Sequence, residues 1–257
     1  MPKKVVPEAA RRRRKPTKAG VVLSEQLIVE TALRLLQQPS REGLTVRRLG
    51  AALGADPSSL YRYFRGADDL TLAIADALIG RAMRGWRGTG DWRSDLRELG
   101  VRIYSAYLAH PQAAVLTASR VSGRANEIAA DEAILGVLRS AGLPDPEAVR
   151  VYHAFIDQTL AFAALDAAGL ALPHSARAAD EAVWQATYAR LPAETHPHIA
   201  ATAPLLVAHM NDSAYPVALD MLLDNAAATL ARMRRAAVTP GRGRGSGADG
   251  GGGTGGE

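Results

Sequence analysis

The chain is 257 residues long, 47% hydrophobic and free of cysteine, so a sizeable core is available while disulfides, zinc ribbons and thiol catalysis are excluded. Its net charge of +5 is uneven: residues 1–66 carry 14 Lys and Arg against 5 Asp and Glu, a balance of +9, which leaves −4 for the other 191 residues. A basic first quarter on a mildly acidic body assigns any contact with a polyanion to that quarter, and no run approaches the ~20 continuous apolar residues that span a bilayer.

Residues 1–20 hold little that would form a core. The run Arg11, Arg12, Arg13, Arg14, Lys15 repels itself and Pro16 interrupts it, which predicts a disordered basic arm. Ser24 is a suitable N-cap for a first helix running to about Gln38, with Leu27, Ile28, Ala32, Leu35 and Leu36 on one face and Pro39 as its stop. The stretch GLTVRRLGAALGADPSSLYRYF, Gly43 to Phe64, then reads as two short helices. Thr45 caps the first, whose apolar face is Val46, Leu49, Ala52 and Leu53, and Gly54 ends it in the left-handed conformation. Asp56 caps the second, Pro57 takes its first position, and Leu60 and Phe64 anchor it. Such a pair, with Gly at the turn, is the helix-turn-helix unit whose second helix enters the major groove of DNA.

The polar residues of this unit sharpen the reading. Arg47 and Arg48 stand in the first turn of a helix, where the macrodipole disfavours cations by a few tenths of a kcal/mol. A phosphate or a guanine edge outside the protein removes that conflict. Ser58, Ser59, Tyr61, Arg62, Tyr63 and Arg65 follow, all able to reach phosphates or bases. The bland alternative, a surface hairpin with solvated charges, leaves the caps, the turn and the misplaced cations without a common cause.

A longer helix is expected from Asp68 to about Trp86, with Leu70, Ile74, Ala77 and Leu78 as its buried stripe and Asp68 and Asp69 at its positive end. Further helices are expected near residues 91–109, 112–119, 126–141, 146–169, 179–191 and 215–235. The segment carrying Val149, Tyr152, Phe155, Ile156, Leu160, Phe162 and Leu165 is apolar around much of its circumference and should be central. The last helix sets Leu219, Leu222, Leu223, Ala226, Leu230 and Met233 on one seam. Together they supply more apolar surface than one body needs, which predicts a homodimer. From about Thr239 the chain turns Gly-rich, with 10 of its 24 glycines after Pro240, and reads as a flexible tail. The expected organisation is all-α: a basic arm at 1–20, a three-helix helix-turn-helix DNA-binding domain at 21–80, a larger helical effector-binding and dimerisation domain at 81–238, and a tail at 239–257.

The run from Leu44 to Leu70, LTVRRLGAALGADPSSLYRYFRGADDL, resembles the DNA-binding head of the TetR family of repressors. The likeness covers about Ser24 to Leu78, and the Leu-Tyr-x-Tyr/His-Phe core at Leu60 to Phe64 is its most specific part. The last helix, YPVALDMLLDNAAATLARM, is similar to the end of the tetracycline-repressor-type C-terminal domain. The resemblance implies that Thr45, Arg47, Ser58, Ser59, Tyr61, Arg62 and Tyr63 lie at the DNA. Ala67 departs from the pattern, since members often carry a phosphate-contacting Lys there; Arg65 or the arm would have to compensate. It also implies an effector pocket in the body, for which His153, Gln158, Thr159 and Phe162 are the candidate lining. The segments near Pro173 to Ser175 and Leu191 to Pro204 would gate its entry.

Other chemistry is thin. His196 and His198 flank Pro197 without a third firm ligand, His153 and Asp157 stand one helical turn apart, and His110 before Pro111 reads as a helix-ending signal. No Gly-rich phosphate loop or nucleophile elbow is present, so no enzyme, cofactor or metal is expected. The sequence predicts a cytoplasmic homodimer without membrane contact, binding a double-stranded, palindromic DNA operator and released by a small-molecule effector. The Arg11–Lys15 arm would either enter the minor groove or serve as a phosphate clamp or solubilising tail. Two alternative functions are a non-specific DNA packer and a metal-binding helical enzyme.

Overall fold

Local chain chemistry sets the helix starts. The computed structural model describes residues 22–38 and 43–238; Arg11 to Arg14, Pro39 and the Gly-rich tail lie outside them. The first helix, α1, spans Glu25–Leu36, and the Ser24 side chain accepts from the Leu27 amide at 3.0 Å. Helix α2 spans Val46–Ala52 and is capped by Thr45, whose hydroxyl accepts from the Arg48 amide at 3.1 Å. Helix α3, Pro57–Leu60, starts at Asp56, whose carboxylate accepts from the Ser58 amide at 2.8 Å. Each such cap is worth about 1 kcal/mol. After α3 the chain tightens: the Arg62 and Tyr63 amides bond the Ser59 and Leu60 carbonyls, three residues back. The second helix is therefore shorter than the sequence suggested: three-residue turns follow Leu60, with only the Phe64 amide reaching four residues back, to the Leu60 carbonyl.

The core of the first three helices is Ile28, Ala32, Leu33 and Leu36 from α1 with Leu49, Leu53, Leu60 and Phe64, all buried. Helix α4, Ala67–Met83, presses Leu70, Ile74 and Leu78 against this group and continues into the body. There it meets α5, Trp92–Leu108, α6, Pro111–Thr117, and α7, Ala125–Ser140. At Gly80 the α4–α7 approach is close enough that an added Cβ would lie 2.8 Å from the Asn126 side chain.

Helix α8, Asp145–Ala171, packs on α5, α6 and α7, and α11, Tyr215–Val238, packs on α5 and α8. Leu96, Leu99, Ile103, Ile134, Leu138, Phe155, Leu219 and Leu223 form the body core. Each such side chain contributes about 1.5–3 kcal/mol when fully buried. Tyr215 stacks on Tyr104 with ring centroids 4.4 Å apart, and its hydroxyl meets Thr159 at 2.9 Å.

Helix α8 is central as expected, packed by α5, α6, α7 and α11, but its surroundings and one further segment differ from expectation. By length and composition α8 is apolar enough to cross a bilayer, yet it is not enclosed on all sides. Phe155, Thr159, Ala163 and Ala167 are buried, whereas Val149 near its start and Leu165 in its second half are exposed. Its apolar circumference thus exceeds what one protomer covers. Second, the segment near Leu191 to Pro204, expected to gate a pocket entry, contains a helix, α10, Pro197–His209, in which Pro197 takes the first turn and Pro204 is accommodated inside. Helix α9, His174–Ala186, and a short 3-10 helix, Tyr188–Arg190, precede it. No residue of α9 is buried and only Ala203 of α10 is, so this pair stands out from the body.

Candidate nucleic-acid interface

Helices α2 and α3 meet at a turn that only small residues permit. Gly54 adopts φ +59, the left-handed conformation that the sequence requires there. A Cβ on Gly50 would lie 3.0 Å from the Ala55 carbonyl oxygen and 3.1 Å from the Pro57 ring, so a side chain there would push α3 off α2. This close approach fixes the angle between the two helices.

Around that turn Thr45, Arg47, Ser58, Arg62 and Arg65 are exposed, and Arg48, Ser59 and Tyr61 are half-buried. Their local bonds differ. The Arg48 guanidinium donates to the Gly43 carbonyl at 3.0 Å, which gives this first-turn cation an internal partner. Arg48 thus needs no phosphate or guanine edge to relieve its position in the first turn. Ser59 donates its hydroxyl to the Asp56 carbonyl at 2.6 Å, while the Ser58 side chain remains exposed.

Tyr63 is a correction. It is only 9% exposed, and its hydroxyl donates to the Leu23 carbonyl at 2.8 Å. An aromatic ring flanked by Leu60 and Phe64 gains more from the core than from solvent, and its polar tip finds a backbone acceptor. Tyr63 therefore ties the end of the reading unit to the start of α1 and does not face a duplex.

Past the reading unit, Asp69 carries more than its helix-end role. One carboxylate oxygen accepts from the Arg65 amide at 2.9 Å and the other from Arg124 at 2.6 Å. Arg124 also donates to Glu25 at 2.6 Å. Nothing in the sequence pointed to Arg124, because its partner stands 55 residues away and no local period connects them. A second junction joins α1 to the body through His110. This residue is buried at the N-cap of α6, with the Gln37 amide 3.0 Å from Nδ1 and Arg81 against Nε2. Arg81 also donates to Glu30 at 2.5 Å.

The candidate effector residues divide. Thr159 is fully buried, donates to the Phe155 carbonyl at 2.7 Å, and shares its hydroxyl with Tyr215. Phe162 packs beside Tyr215 at 5.9 Å between centroids. Gln158 turns its Nε2 into the interior, where it has no hydrogen-bond partner. His153 is a further correction: it lies exposed on α8, edge-on to Tyr152, and no hydrogen bond joins it to Asp157. His196 and His198 are exposed, and no group of three metal-ligating side chains occurs among the described residues.

Comparison with known proteins bears directly on this arrangement. Residues 28–74 match the model for bacterial regulatory proteins of the tetR family, and residues 85–230 match the tetracyclin repressor-like C-terminal domain. The chain belongs to the TetR family. A crystal structure of a possible TetR family transcriptional regulator from Streptomyces coelicolor A3(2) is 31% identical, with TM-score 0.67, covering 80% of this chain and 100% of that one. Apo ActR from Streptomyces coelicolor shares the fold at TM-score 0.71 and 22% identity, over 82% of this chain and 98% of that one. The HTH-type transcriptional repressor DrrR1 of Streptomyces coeruleorubidus is 32% identical over 127 residues, which are 48% of this chain and 46% of DrrR1. The class C tetracycline repressor of Escherichia coli is 36% identical over 90 residues, 34% of this chain and 41% of the repressor. The chain thus spans about half the length, or less, of these curated relatives. As in the rest of the TetR family, an N-terminal helix-turn-helix unit precedes a larger helical C-terminal region.

Proposed function

We propose that this TetR-family chain is a sequence-specific transcriptional repressor that binds a palindromic DNA operator as a homodimer and is released by a small-molecule effector. The observation that carries the reading is the α2–α3 unit itself: capped at Thr45 and Asp56, fixed in angle at Gly50, and exposing Thr45, Arg47, Ser58, Arg62 and Arg65 around its turn. An Arg there reads guanine O6 and N7 with two hydrogen bonds, worth about 1–3 kcal/mol of discrimination. Ser58, Ser59, Tyr61 and Arg48 are assigned to phosphate and sugar contacts that set the register. Arg11 to Arg14 precede this unit in sequence and are assigned to phosphates or an adjacent minor groove. The domains are taken as 1–20, 21–80, 81–238 and 239–257.

A two-fold dimer places its reading units in successive major grooves, about 34 Å apart. The exposed apolar residues Leu165 of α8 and Val217 and Met221 of α11 supply the dimer seam. For the effector, Gln158, Thr159 and Phe162 are retained as lining and His153 is not. A buried amide nitrogen without a partner costs about 1–3 kcal/mol, which a ligand acceptor would recover. Crystal structures of ActR from Streptomyces coelicolor, which shares the fold, include complexes with actinorhodin and with (S)-DNPA. That its relatives are HTH-type transcriptional regulators favours a non-enzymatic role in the cytoplasm.

Selection of bound fragments from genomic DNA, followed by sequencing, tests the reading. A repressor of this kind enriches a palindrome and prefers it to random DNA by about 10³-fold or more. Enrichment without a shared motif identifies a non-specific DNA packer instead.

A further inference from the structure

Helix α4 runs from the reading unit into the body, so its first turn is where the two must be held in register. Two sets of bonds tie α4 to the start of α7, one at the first turn of α4 and one farther along it. In the first, Arg124 sits with its side chain 27% exposed, donating Nη1 to Glu25 Oε1 and Nη2 to Asp69 Oδ1, both at 2.6 Å. In the second, Asp76, mid-way along α4, accepts from the Asn126 and Glu127 amides at 2.9 and 3.0 Å and from the Asn126 side chain at 2.8 Å.

The connection is stiff enough to transmit a position. Glu127 Oε2 gathers the Ser122 amide, the Ser122 hydroxyl and the Gly123 amide at 2.5–2.8 Å, and Gly123 takes φ +60. Arg124 follows directly as the N-cap residue of α7. Its two acceptors come from the first turns of two different helices, α1 and α4. Without the guanidinium those carboxylates would lose their common counter-charge. A Lys ammonium, being a point charge without a planar fork, would serve one carboxylate and leave the other. Arg120 adds an exposed pair to Asp68 at 2.7 Å, of a kind that contributes little.

Asp69 links this clamp to the reading unit, since its second oxygen accepts from the Arg65 amide in the turn between α3 and α4. We propose that Arg124 is a positioning residue that sets the orientation of the α2–α3 unit against the body, acting through Asp69 and Glu25 and not through contact with DNA. The inference rests on the DNA-reading function proposed above for its effect on affinity, while its structural part stands on the bonds alone.

Amide hydrogen exchange on the full chain, with and without Arg124→Gln, is the test. Local release raises exchange in peptides covering residues 22–38 and 61–72 by roughly ten-fold or more and leaves residues 145–171 unchanged. Arg124→Lys gives an intermediate rise, and Asp69→Asn reproduces the Gln effect without adding to it in the double variant. Affinity for a selected fragment falls by about ten-fold, with the log–log salt slope unchanged, because no phosphate contact is lost. A uniform rise across all peptides, or no rise in the head, overturns the proposal. So does a salt slope shallower by ~0.9, which would make Arg124 a phosphate ligand. If the unaltered chain selects no fragment, the DNA-reading function fails, and the exchange pattern still decides the role of Arg124.

Discussion

The Tyr63 hydroxyl donates to the Leu23 carbonyl, 40 residues earlier, across a 2.8 Å buried bond that closes the reading unit onto the entrance of α1. Tyr63→Phe keeps the ring and removes that bond, leaving the Leu23 carbonyl to find another donor. Unfolding by urea should show a loss of about 1 kcal/mol. The salt slope of DNA binding should stay as it is, since the residue faces inward. A slope change of the size of one phosphate contact would return Tyr63 to the interface.

Gly100 lies under Tyr215, and an added Cβ would sit 2.5 Å from its hydroxyl oxygen and 3.2 Å from Phe155 and Leu219. Gly100→Ala therefore forces apart α5, α8 and α11 and should cost about 1–3 kcal/mol. Gly136 on α7 has nothing within 4 Å of its would-be Cβ, so Gly136→Ala should stabilise by up to ~1 kcal/mol through helix propensity. Thermal melts of the two variants should move in opposite directions.

His110 gives the head–body junction a pH dependence. Burial, and then the Arg81 charge, hold its imidazole below the ordinary value of 6.5, against a smaller opposing effect of Glu30. A second positive charge on the ring would stand beside the Arg81 cation. The unfolded chain takes up the ring proton near pH 6.5 and the folded chain only at lower pH. The contribution to stability is complete above 6.5 and is lost as the pH falls through the folded-state value, at no more than ~1.4 kcal/mol per pH unit. Urea titrations at pH 7.5 and pH 5.5 should show a steeper acid loss for the unaltered chain than for His110→Gln. Equal losses would remove His110 from the account.

Leu165 on α8 and Met221 on α11 are each 67% exposed, a poor position for large apolar side chains in a protomer that stays alone. Sedimentation should give a dimer that Leu165→Glu together with Met221→Glu converts to monomer, with helix content unchanged. A dimer that survives both substitutions would place the seam elsewhere.

Much of this was legible in the chain because it depends on near neighbours. Ser24, Thr45, Asp56 and Gly54 act within three residues of themselves, so caps and turn followed from spacing alone. What escaped depends on distant partners. Tyr63 was grouped with the DNA contacts because its Leu23 acceptor is invisible to local period. His153 was placed inside because α8 is apolar on several sides, and periodicity does not say which side a protomer leaves open. No helix was expected between Leu191 and Pro204, although Pro197 suits a helix start and Pro204 is carried inside α10. Arg124 gave no signal at all, since its worth lies in two carboxylates from other helices.

The central claim is that Arg47 and its neighbours on α2 and α3 read bases. The direct measurement is the affinity of the unaltered chain and of Arg47→Ala for the selected palindrome and for each single-base variant of one half-site. The account predicts a loss of about 1–3 kcal/mol for Arg47→Ala on the palindrome, with discrimination abolished at one base pair per half-site and kept at the others. An equal loss on every variant, with discrimination intact throughout, would contradict it.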